Sequence, residues 1–75
     1  MEKPKTMEEL IQRMDAIAMD FDWKQDEFNA VLYFTHENGA TSYNMFGNGG
    51  AMVNALVMMM INEEKFRRVM YAALL

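Results

Sequence analysis

Asn38-Gly39 stands between two runs of alternating apolar residues, and few dipeptides restrict a chain so tightly. A two-residue type I′ turn needs positive φ at both central positions, which Asn and Gly tolerate. Phe28 to His36 alternates Phe28, Ala30, Leu32 and Phe34 with Asn29, Val31, Tyr33 and Thr35, and is rich in aromatic and β-branched residues. That is strand chemistry, and Thr41 to Phe46 supplies the returning strand. Once the turn is placed, every pair follows: Glu37 opposite Ala40, His36 opposite Thr41, Phe34 opposite Tyr43, Leu32 opposite Met45. The bulky apolar pairs share one face. The other collects Thr35 with Ser42, Tyr33 with Asn44, and Val31 with Phe46. The first face is expected to be the inner one, leaving Val31, Tyr33 and Phe46 outside.

A two-stranded hairpin is marginal alone and needs helices against it. Thr6 followed by Glu9 reads as a capping box. After it, Met7, Leu10, Ile11, Met14, Ile17, Ala18 and Phe21 fall in the rhythm of one buried helical stripe. Glu8, Gln12, Arg13, Asp15 and Asp20 are assigned to the opposite, solvated face. Asp22 to Glu27 reads as a connection whose Trp23 folds back on the core. Beyond Gly47-Asn48-Gly49-Gly50, the run Ala51 to Ile61 contains Asn54 as its sole polar residue, and Ala, Leu and Met favour a helix over a third strand. Apolar all round, such a helix must be covered on most sides. Asn62 is expected to cap a last helix, with Glu63 and Glu64 in its first turn, unless one helix simply bends there. The predicted fold is α+β, a single small domain ordered α-β-β-α-α. The helix runs over about 6–21, the hairpin 28–46, the glycine loop 47–50, and the helices 51–61 and 63–74.

Size then bears on association. A compact chain of 8.8 kDa keeps about 4,800 Å² exposed, and so small a core barely offsets the entropy of ordering 75 residues. Cysteine is absent, which removes disulfides and thiolate zinc sites as staples. With 52% hydrophobic residues, self-association is the expected remedy. Its expected interface is Val31, Tyr33, Phe46, Met52, Leu56, Met59 and Met60.

Chemistry is read mostly by exclusion. Eleven acids against seven bases give a net charge of −4, and the only basic cluster is Lys65, Arg67 and Arg68, too small for a duplex footprint. No nucleic-acid partner is expected. The longest apolar run falls well short of the ~20 residues of a membrane span, and the first residues lack the apolar core of a signal peptide. The expected compartment is the cytosol. Met58-Met59-Met60 offers thioethers, but neither His nor Cys accompanies them as a copper site would require. Asp20 to Val31 lacks the Gly and the final Glu of an EF-hand loop. His36 lies beside the turn next to Glu37, with Ser42 expected to face away from it and no cysteine in the chain, so no catalytic activity and no cofactor are expected. Gly47, Asn48, Gly49 and Gly50 precede a helix and can present amides to an anion, with Arg67 or Arg68 from a neighbouring chain. The leading expectation is a homo-oligomeric, non-catalytic accessory protein that acts stoichiometrically on a protein partner, of the kind phage and mobile elements encode as inhibitors. The alternative is an oligomer that sequesters a small phosphorylated ligand or nucleotide.

Overall fold

The computed structural model describes residues 2–75. Its elements are α1 (Met7–Asp20), β1 (Ala30–Glu37), β2 (Ala40–Gly47), α2 (Gly49–Asn62) and α3 (Glu64–Leu74). The α+β architecture and the α-β-β-α-α order follow the expectation. So does the register: β1 and β2 pair antiparallel from Ala30 opposite Gly47 to Glu37 opposite Ala40, with Phe34 on Tyr43 and Leu32 on Met45. Asn38 and Gly39 have φ of 51° and 81°, the two positive values the turn demands.

Thr6 caps α1, its Oγ1 accepting from the Glu9 amide at 3.1 Å. The reciprocal half of the box is displaced by one residue, because the Glu9 carboxylate accepts from the Lys5 amide at 2.9 Å. Asn48 caps α2, its Oδ1 accepting from the Ala51 amide at 3.1 Å. The glycine loop is therefore shorter than expected, since Gly47 ends β2 and Gly49 and Gly50 already belong to α2. Two helices follow, as expected, but the break falls one residue later than Asn62. Glu63 is extended, at φ −115° and ψ 101°. The Arg67 guanidinium donates to the Met60 carbonyl at 3.0 Å, so it satisfies an acceptor left over where α2 ends.

α1 covers the hairpin on the opposite face from the one expected. Among the described residues only Ile11, Ala18 and Tyr33 are buried, with Met14 and Phe46 packed against them. The core therefore lies between α1 and the Val31/Tyr33/Phe46 face. The cause is polar as much as apolar. Tyr33 donates its hydroxyl hydrogen to Asp15 Oδ1, and Asn44 Nδ2 donates to the same oxygen at 3.3 Å. Asp15, assigned above to solvent, is half-buried on the helix face of Ile11 and Ala18. Ile17, assigned to the buried stripe, is 71% exposed. With a carboxylate supplied by α1, the more polar strand face can go inward with its groups satisfied. Trp23 folds back as expected, its indole N–H donating to the Ala18 carbonyl at 2.7 Å. It continues a ladder of stacked rings in which Phe21 lies 4.5 Å from Trp23, Trp23 6.2 Å from Phe46, and Phe46 6.4 Å from Tyr33.

Candidate functional site

The groups that carry reaction chemistry do not converge. His36 Nδ1 meets Thr41 Oγ1 at 2.8 Å across the exposed end of the hairpin. Ser42 pairs with Thr35 on the other strand face. Among the described residues no cluster of three His, Asp or Glu side chains is placed to hold a metal ion. Gly47–Gly50 and the arginines sit at opposite ends of α2, about 20 Å apart for a helix of 14 residues. Asn48 Oδ1 occupies one of the helix-end amides. Arg67 is engaged by α2 carbonyls, and Arg68 pairs with Glu64 at 2.6 Å. Within one chain the expected anion site is not assembled.

What the molecule does present is apolar surface, in two places. The first is a groove of about 430 Å³ between α1 and β1, with Ile17, Phe21, Trp23 and Val31 in its walls. The second is the strand face that α1 does not cover. There Phe34 is 71% exposed, Tyr43 67% and Met45 54%, with Leu32 beside them. α2 shields only its β1 side, leaving a void of about 180 Å³ against Leu32, Phe34, Met52, Leu56 and Met59, with Phe66 of α3 at its end. Val53, Val57, Met58 and Ile61 of α2 remain exposed.

The residues expected to form an interface are thereby divided. Tyr33, 7% exposed, and half-buried Phe46 are core under α1, so they are not available to a second chain, and Val31 lines the groove. Met52, Leu56 and Met60 are half-buried and Met59 exposed on α2. Leu32, Phe34, Tyr43 and Met45 are the exposed group that the sequence reading placed inside. The signal that could have located them is the position of Asp15, four residues after Ile11 and three before Ala18 on one helix face.

Comparison with family models, curated proteins and solved structures found no match to this chain. No helix among the described residues is long and apolar enough to cross a membrane.

Proposed function

We propose that this protein is a non-catalytic binding protein that works as a homo-oligomer and acts on a protein partner by association. One observation carries the reading. The protomer exposes 6467 Å², where a compact chain of its mass keeps about 4,800 Å². The excess, about 1,700 Å², is of the size that each partner of an obligate dimer buries. The radius of gyration agrees: 14.4 Å, against about 11 Å for a compact domain of this length. No side chain is fully buried among the described residues. Such a protomer gains too little from its own core, and burial against another copy supplies what is missing.

Light scattering coupled to size exclusion, run from low to high micromolar concentration, tests the self-association. An oligomeric mass that persists on dilution is expected. A monodisperse, folded species at 8.8 kDa would remove the reading.

A further inference from the structure

We infer that the exposed face of the hairpin, Leu32, Phe34, Tyr43 and Met45, together with the outward side of α2, is where a second copy of this chain docks about a two-fold axis. The inference rests on the self-association proposed above and says where it occurs.

Three observations select this face over the α1–β1 groove. The first is charge. No Asp, Glu, Lys or Arg stands on this strand face from position 30 to 36 or from 41 to 47, and α2 holds none along its whole length. A protein of net charge −4 brings like charge to like when it meets itself, so its closest contact belongs where acids are absent. Phe21 of the groove wall has Asp20 and Asp22 as its immediate chain neighbours. The second is shape. A two-fold interface needs one patch that is both ridge and hollow, because the same surface serves both chains. Here α2 stands over the β1 side while the β2 side, at Tyr43 and Met45, is bare. A second copy can lay its α2 on that bare strip and receive this chain's α2 on its own. The third is extent. Phe34, Tyr43 and Met45 with Val57, Met58 and Ile61 of α2 are exposed here, against Ile17, Phe21 and Val31 in the groove, and obligate interfaces are large and apolar. An always-present second copy suits a protomer whose own core is so small. A foreign partner would find no charge here to recognise.

Methionine oxidation tests the placement on the unaltered protein, since thioether oxidation follows exposure. In the isolated protomer Met45 is 54% exposed and Met19 on α1 is 71% exposed, so they should react at similar rates. With dilute peroxide and peptide mass spectrometry, Met45 is expected to oxidise several-fold more slowly than Met19 in the oligomer. An oligomer in which the two react alike overturns the docking face and leaves self-association standing. A monomer by light scattering overturns both. A second arm uses the double variant Tyr43→Glu/Met45→Glu beside Ile17→Glu in the groove. Loss of the oligomer in the first and its retention in the second is the expected pair. The opposite pair moves the interface to the groove.

Discussion

Asp15 decides which way the hairpin faces. Its Oδ1 accepts from both Tyr33 and Asn44, so one carboxylate on α1 satisfies two strand groups that would otherwise be left unpaired beneath a helix. Asp15→Ala is expected to lower the melting temperature, and Asp15→Asn to lower it less, because the amide oxygen still accepts. The Tyr33 hydroxyl is pushed up to about 12, first by burial, then by the hydrogen bond to Asp15 and by that carboxylate's charge. An unfolded tyrosine titrates near 10. Between those values the folded chain holds a proton that the unfolded chain has lost, so the contribution is complete below about 10 and declines as pH rises towards 12. Melting curves across that window should fall more steeply for the native chain than for Tyr33→Phe.

Elements were legible where local chemistry alone decides them. The turn at Asn38-Gly39 sets the register with no help from the rest of the chain, and Thr6 and the glycine-led start of α2 mark helix beginnings. Faces were not legible to the same degree. Counting apolar side chains favoured Leu32, Phe34, Tyr43 and Met45 as the inside, and that count omits the hydrogen-bonding partner α1 brings to the other side. The α2 cap is a clean test of local stabilisation: Asn48→Ala is expected to cost about 1 kcal/mol by denaturant titration. Gly47 is a harsher position. Its φ is +98°, and a Cβ there would stand 2.5 Å from the Asn29 carbonyl oxygen and 2.8 Å from Ala30 Cα. Since both neighbours are backbone, Gly47→Ala should disrupt the join between the hairpin and α2 far more than Asn48→Ala does. Amide exchange in β2 and α2 would report it.

At the scale of the whole molecule, the protomer is a slab of 38 × 36 × 18 Å with most of its large apolar residues at the surface. The sequence showed the surplus, because so much apolar composition cannot be hidden in 75 residues, but it did not show where the surplus lies. If folding and assembly are one process, denaturation must depend on protein concentration. Each tenfold increase should raise the apparent stability by about 1.4 kcal/mol per dimer, whereas an independent monomer would show no change.

A helix of 14 residues without one Asp, Glu, Lys or Arg, set beside a strand face that also carries none of them, would leave an assembly through this face little for dissolved ions to screen. Its cohesion then comes from water's aversion to oil, which weakens as temperature drops. If two copies dock there, their association is expected to persist through changes in salt concentration and to loosen on cooling.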